Sequence, residues 1–94
     1  MKEIIYDYEE FKNRLDPTKT IHHNGIRENI DKQGLFYRLR FRIYALDKKD
    51  EHVLVFEAIK RTTLAEYENH RKDYEAFVEK FAKPLGSTEG EWIP

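Results

Sequence analysis

Three arginines alternate with apolar residues in the middle of this chain. Arg38, Arg40 and Arg42 occupy every second position of the stretch 35–46, and the odd positions of that stretch are all apolar or aromatic. Because side chains alternate between the two faces of a β-strand, one face is predicted to be buried and the other to present three guanidinium groups. Phe36 and Tyr44 flank the arginines on the same face. Such a face suits the phosphates and bases of single-stranded nucleic acid, or the carboxylates of an acidic protein.

The next apolar stretch ends in two further cations, Lys60 and Arg61. The predicted nucleic-acid or partner-binding residues are therefore Phe36, Arg38, Arg40, Arg42, Tyr44, Lys60 and Arg61. The structural alternative is an exposed sheet face on which the arginine stems shield neighbouring apolar residues from water. Near the end of the chain, Trp92 and Ile93 form a candidate interface pair, because tryptophan is favoured as an anchor of protein contacts. The favoured prediction for Trp92 is that it folds back into a groove of its own domain, with docking of Trp92 and Ile93 on a partner subunit as the alternative.

No motif in the sequence specifies a reaction. His22 and His23 are adjacent, so on a strand their side chains point to opposite faces and do not readily share a metal ion. The chain has no cysteine, its one serine is Ser87, and its four glycines match no phosphate-binding loop. No catalytic residue, metal or cofactor is therefore predicted. A minor alternative is a metal-independent ribonuclease in which His22 or His23 acts as general base beside the arginines.

The composition predicts one domain without a membrane segment. The chain has 94 residues, of which 39% are hydrophobic and 37% charged, and its net charge is −1. No apolar run reaches the roughly 20 residues of a membrane span, and the first residues lack the apolar region of a signal peptide. We therefore expect a cytoplasmic protein. Residues 19–61 contain ten basic and six acidic side chains, while both flanks are acidic, so the middle of the chain can create a local basic field.

Short elements are predicted before the arginine stretch. Residues 2–6 have the composition of a strand or extended lead-in. Asp7 stands three positions before Glu10, which is the spacing of a capping box, and apolar residues at helical spacing predict a helix over 8–15. Residues 19–30 are predicted to contain an edge strand, and a strand over 20–23 could end in a turn at Asn24-Gly25. Alternatively, Ile26 and Ile30 could mark a short helix or a second extended segment that ends at Gly34.

A β-hairpin is predicted around the arginines. Its strands span about 35–46 and 51–61, and a turn at 47–50 joins them. A tight turn centred on the two lysines would make the numbers of facing residues sum to 97, which sets Arg40 opposite Glu57 on the arginine side. On the other side this register pairs apolar residues: Leu39 with Ala58, Phe41 with Phe56, and Ile43 with Leu54.

A long helix is predicted to follow the hairpin. Thr63 and Glu66 have capping-box spacing, and apolar residues recur every third or fourth position until about Lys83. The residues expected to pack on the odd face of the hairpin are Tyr74, Phe77, Val78 and Phe81. Residues 86–94 have the composition of a loop and are predicted to form a C-terminal tail. The fold predicted for 1–85 is a single α+β domain with a short N-terminal helix, a small antiparallel sheet centred on the hairpin, and a long C-terminal helix on one face.

These features favour a non-enzymatic nucleic-acid-binding module that uses the basic and aromatic sheet face, with single-stranded DNA or RNA as its partner. The alternative is a protein-interaction or inhibitor module that uses the same face to bind an acidic protein. A sheet this small leaves apolar surface on its second face, so a homodimer is expected in preference to a monomer.

Overall fold

The computed structural model of the chain describes residues 3–16, 18–46 and 52–94, apart from the side chains of residues 52 and 53. Its elements in chain order are β1 (Glu3–Ile5), α1 (Tyr8–Arg14), β2 (Thr20–Asn29), β3 (Phe36–Leu46), β4 (His52–Thr63), α2 (Tyr67–Phe77) and β5 (Glu89–Ile93). A 3₁₀ turn precedes α2, and a π turn and a second 3₁₀ turn extend it to Leu85. The predicted α+β class is confirmed, as is the long C-terminal helical segment packed on the sheet. None of the helices in the described part of the chain is long and apolar enough to span a membrane.

The sheet is mixed, which corrects the antiparallel prediction. Its strand order is β1-β4-β3-β2-β5. The three central strands pair antiparallel, whereas β1 pairs with β4, and β5 with β2, in parallel. The two edge strands thus come from opposite ends of the chain. Their pairing is long-range, and local sequence patterns carry no information about it.

The register of the predicted hairpin differs by two residues from the expected one. Phe41 lies opposite Ala58, and Arg42 lies opposite Glu57, so facing residues sum to 99. The pairing is irregular between Ala45 and Leu46. Because the side-chain period of a strand is two, this even shift leaves every residue on its predicted face. The predicted turn at 47–50 lies outside the described residues.

The helices cover the odd face of β3, where the core lies. Phe41 and Phe56 both stack against Phe77, with ring centroids 5.2 Å and 6.0 Å apart. Phe11, from α1, is fully buried against the same cluster. The predicted packing of the C-terminal helix is therefore confirmed: Tyr74 and Phe77 lie in the core, and Val78 and Phe81 pack against it.

One of the two predicted helix caps is present in the structure and the other is absent. The Asp7 carboxylate accepts a hydrogen bond from the Glu10 N–H at 3.1 Å, which caps α1 as predicted. The side chain of Thr63 makes no such bond, because residues 64–66 form a 3₁₀ turn before α2 begins. The predicted second capping box is thus wrong. Gly86, with φ of +85°, ends the helical segment in the left-handed conformation that glycine adopts without strain.

Residues 89–93, predicted as part of a tail, form β5. This strand pairs with β2, so β2 is an internal strand and not the predicted edge strand. The Trp92 ring folds back and stacks on Tyr74 with centroids 5.6 Å apart. Gly90 allows the ring of His23 to lie close to β5, since a Cβ at position 90 would be closer than 3.0 Å to that ring.

Candidate interaction face

The face of the sheet turned away from the helices carries the arginines. Alternation along the paired strands brings residues from β2, β3, β4 and β5 to this face. We call it the arginine face, and its members are His22, Asn24, Ile26, Glu28, Phe36, Arg38, Arg40, Arg42, Tyr44, Val55, Glu57, Ile59, Arg61, Glu89, Glu91 and Ile93.

The three arginines of β3 form one ion-pair network with two carboxylates. Arg38 donates to Glu28 at 2.6 Å and 3.0 Å, and this hydrogen bond lowers the pKa of Glu28. The Arg40 Nε lies 2.9 Å from Glu57, and one of its terminal nitrogens lies 3.7 Å from Glu28. Arg42 donates to Glu57 at 3.3 Å. Glu57 is the centre of the network, with only 4% of its side chain exposed beneath the two arginines. The positive charge predicted for this face is therefore largely neutralised by the chain itself.

One end of the arginine face is closed. Tyr44, Leu46 and Val55 form a small cluster of buried residues there. The Tyr44 hydroxyl bonds the side chain of Asn24 in both directions, at 3.0 Å and 3.2 Å. Because Tyr44 is only 7% exposed, it offers no platform on which a base could stack.

The opposite end of the face is open and apolar. Phe36 and Ile59 are about half exposed, at 51% and 48%. Phe36 and Ile30 line a shallow cleft of about 340 Å³ together with Arg61. Arg61 lies directly opposite Arg38 in the pairing of β3 with β4. Within the described ranges Arg61 forms no ion pair, so this end of the face holds an unneutralised cation beside exposed apolar side chains.

The structure separates the other predicted residues. Lys60 points to the helix side, where its ammonium group lies 2.9 Å from Asp73. Trp92 also lies on the helix side, whereas Ile93 lies on the arginine face with 39% of its surface exposed. Of the predicted binding set, only Phe36, Arg38, Arg40, Arg42 and Arg61 therefore remain together and at least partly accessible.

The two adjacent histidines point to opposite faces, as the strand alternation predicts. The His22 Nε2 lies 3.3 Å from a Glu89 carboxylate oxygen on the arginine face. His23 is buried on the helix side, where its Nδ1 shares a hydrogen bond of 2.6 Å with the Ser87 hydroxyl. Burial, together with the charges of His22 and Lys83, lowers the pKa of His23. Only His22 could thus serve the ribonuclease alternative beside the arginines.

The bond between His23 and Ser87 had no signal in the sequence. The two residues are 64 positions apart, and they meet because β5 pairs with β2. Both side chains are buried, so Ser87 is not placed to attack a substrate. Among the residues that the structure describes, no cluster of three His, Asp or Glu side chains could hold a metal ion.

A concavity lies between the end of α1 and the start of β2. It is an open cleft of about 590 Å³ whose lining includes Lys12, Asp16, Lys19 and Glu89. Asp16 is engaged within its own turn, since it accepts from the N–H and hydroxyl of Thr18 at 2.9 Å and 2.7 Å. The charges of this cleft are mixed in sign and offer no convergent site for one ligand.

Comparisons of the chain with models of known protein families, with curated proteins and with solved structures found no match in any of the three. The arginine face combines an ion-pair network with exposed apolar groups, which makes it the candidate interaction site among the described residues.

Proposed function

We propose that the chain is a non-enzymatic protein-interaction module that binds its partner through the arginine face. The observation that carries this proposal is the burial of Glu57 beneath Arg40 and Arg42. Nucleic-acid affinity depends on cations that are free to replace the counterions of phosphates. Here Arg38, Arg40 and Arg42 share two carboxylates of the same chain, and the exposed groups beside them are Phe36 and Ile59. Protein interfaces combine arginine, aromatic and apolar groups in this way.

The partner of such a face is a protein surface with apolar groups and some acidic side chains. Phe36 and Ile59 supply the apolar contact, and Arg61 supplies a cation for a partner carboxylate. A homodimer through this face is one such complex and stays a prediction, as does a cytoplasmic location.

A nucleic-acid-binding module is the second candidate. The observation in its favour is that Phe36 exposes its ring at the end of the face that also holds Arg38 and Arg61. A ring beside two guanidinium groups suits a base and its phosphate in single-stranded DNA or RNA. This reading requires binding that weakens steeply with salt, with a log–log slope of about −0.7 per neutralised phosphate.

Two assays on the same variants separate the candidates. The face variants are Ile59→Asp and Arg61→Glu, and the control is Lys72→Glu on the exposed surface of α2, which changes the charge by the same amount as Arg61→Glu. The first assay is fluorescence anisotropy with labelled single-stranded RNA and DNA at low and moderate salt. We expect no tight binding; tight, salt-sensitive binding that Arg61→Glu abolishes would replace our proposal with the second candidate.

The second assay is capture of proteins by the immobilised chain from an extract of its source cells. We expect bound proteins that are lost with both face variants and retained with Lys72→Glu. Equal capture by all four proteins would show that the arginine face does not carry the interaction.

A further inference from the structure

Two opposite charges are left over on the arginine face once its internal ion pairs are formed. Arg38, Arg40 and Arg42 share Glu28 and Glu57, and Glu89 lies beside His22. Of the remaining charged residues on this face, Arg61 and Glu91 are both exposed, and neither forms an ion pair in the part of the chain that the structure describes. Arg61 and Glu91 thus carry exposed charges of opposite sign that no ion pair within the face uses, so two copies could each satisfy the charge of the other.

We infer that the arginine face binds a second copy of the chain, with Arg61 of each copy against Glu91 of the other. This inference rests on the proposed function, since it assigns the partner of the same face. A two-fold axis relates the two copies of a closed homodimer. A contact between residue i of one copy and residue j of the other is therefore accompanied by the contact between residue j of the first copy and residue i of the second. One such axis satisfies both leftover charges of both copies.

The register shows where this axis lies. Arg61 is on β4 at the level of Arg38, and Glu91 is on β5 at the level of Arg42. They are separated by three strand spacings across the sheet, about 14 Å, and by four residues along it, about 13 Å. The midpoint falls between Arg40 and Ile26, which are neighbours in the pairing of β3 with β2. The two-fold axis passes through that point and lies in the plane between the two facing sheets. It therefore places Arg61 of each copy opposite Glu91 of the other.

Ile26 lies beside this axis in each copy, as does Arg40, whose guanidinium group is paired with Glu57 of its own chain. One row of residues crosses four strands at the level of the proposed axis point, and its members are Ile59, Arg40, Ile26 and Ile93. Ile59 and Ile93 are exposed at 48% and 39%, so the second copy would cover apolar surface on either side of the axis. Because the line from Arg61 to Glu91 runs at about 45° to the strands, the two sheets would cross at about 90°, a known class of sheet packing.

The available area sets the expected strength of the dimer. The open part of the face is about four strands wide, because β1 pairs with β4 at the closed end, and about seven residues long, or about 19 Å by 23 Å. Complete coverage would bury about 440 Å² per copy and about 900 Å² in total, which is the size of weak, transient interfaces. We therefore expect a reversible dimer whose population rises between micromolar and millimolar protein concentration.

Charge exchange tests the arrangement. Analytical ultracentrifugation of the full chain would compare the wild type with Arg61→Glu, Glu91→Arg and the double variant Arg61→Glu/Glu91→Arg. Each single variant sets like charges against each other at two places in the dimer, and we expect it to weaken association about tenfold or more. The double variant restores both pairs with reversed polarity and should associate as the wild type does. An equimolar mixture of the two single variants should also associate, because each supplies the charge that the other lacks.

The controls make every outcome decisive. Lys72→Glu should leave the dimer intact, and the emission of Trp92 and the circular dichroism of each variant check that it is folded. A dimer that both single variants leave unchanged, or whose association the double variant does not restore, overturns the inference. A protein that stays monomeric at millimolar concentration overturns it as well. In that case, capture of cellular proteins that depends on Ile59 leaves the proposed function standing, whereas capture that does not depend on Ile59 removes both.

Discussion

Replacement of Glu57 by glutamine tests the ion-pair network at its centre. The change keeps the size of the side chain but removes the negative charge that Arg40 and Arg42 share. These two arginines are only 25% and 17% exposed, so water cannot fully replace the lost carboxylate. Removing one partner of a buried ion pair costs about 3–5 kcal/mol, because it leaves an uncompensated charge. Partial exposure of the arginines and the remaining amide oxygen reduce that cost, and we expect Glu57→Gln to lower the free energy of unfolding by about 2–3 kcal/mol.

Urea unfolding measures this loss, with the fluorescence of Trp92, the one tryptophan of the chain, as the probe. Glu89→Gln is the matched control. It removes the same charge from a residue that is 76% exposed, and an exposed pair contributes about 0–1 kcal/mol. The variant Glu57→Gln/Arg40→Gln should lose less than the sum of its single changes, because the two residues share one interaction.

A loss for Glu57→Gln no larger than that for Glu89→Gln would refute the reasoning. It would mean that the network contributes no more than a solvated ion pair and that the arginines are held by other contacts.

The variant Glu57→Gln also tests which class of partner the arginine face binds. If the face bound nucleic acid, Glu57→Gln would release positive charge and tighten RNA binding, whereas a protein-binding face predicts no gain.

Three further predictions concern the helix side of the sheet. In Gly90→Ala the new Cβ would collide with the ring and carbonyl oxygen of His23, so β5 must move; we expect a loss of about 1–3 kcal/mol in urea unfolding and a red shift of Trp92 emission, and an unchanged spectrum would contradict the packing. Burial lowers the pKa of His23 from its ordinary 6.5, so the unfolded chain takes up the proton first; stability should fall as the pH decreases below about 6.5 and level off once folded His23 is protonated. His23→Gln should flatten that part of the stability curve, and an identical curve for both proteins would refute the assignment. Burial raises the pKa of Tyr74 to about 12, and its hydroxyl has no hydrogen-bond partner among the described residues, so Tyr74→Phe should be neutral or stabilising and should remove the last phenol in an ultraviolet titration; a loss above about 1 kcal/mol would reveal a hydrogen bond to that hydroxyl.

The faces of the central strands could be predicted from sequence, but their register could not. Alternation of Arg38, Arg40 and Arg42 with apolar residues specifies which side of β3 is buried, because exchanging the sides would bury three charges. A slip of two residues preserves that pattern, so hydrophobic alternation does not distinguish Arg42 opposite Glu57 from Arg40 opposite Glu57. The ion-pair network that neutralises the face depends on this register and on Glu28 of β2, which is why free cations were expected from the sequence.

The fifth strand was missed for a different reason. Gly90 lies between Glu89 and Glu91, and glycine and glutamate are both depleted in strands, so the segment has the composition of a loop. In the structure the glycine is required because His23 packs against it, and the two glutamates lie on the open face. The contact between β5 and β2 is thus tertiary, and it overrides the local preference of the segment.

The parallel pairing of β5 with β2 also affects folding on the ribosome. The β2, β3 and β4 strands follow one another in the chain and can pair as soon as they leave the exit tunnel. The β2 edge stays open until residues 89–93 have been synthesised, and during that interval it can pair with other nascent chains. Since contacts between distant residues also slow folding, closure of this edge is expected to be a late event. If Trp92 fails to dock during translation, the chain is therefore expected to aggregate first and to show a loss of stability only later.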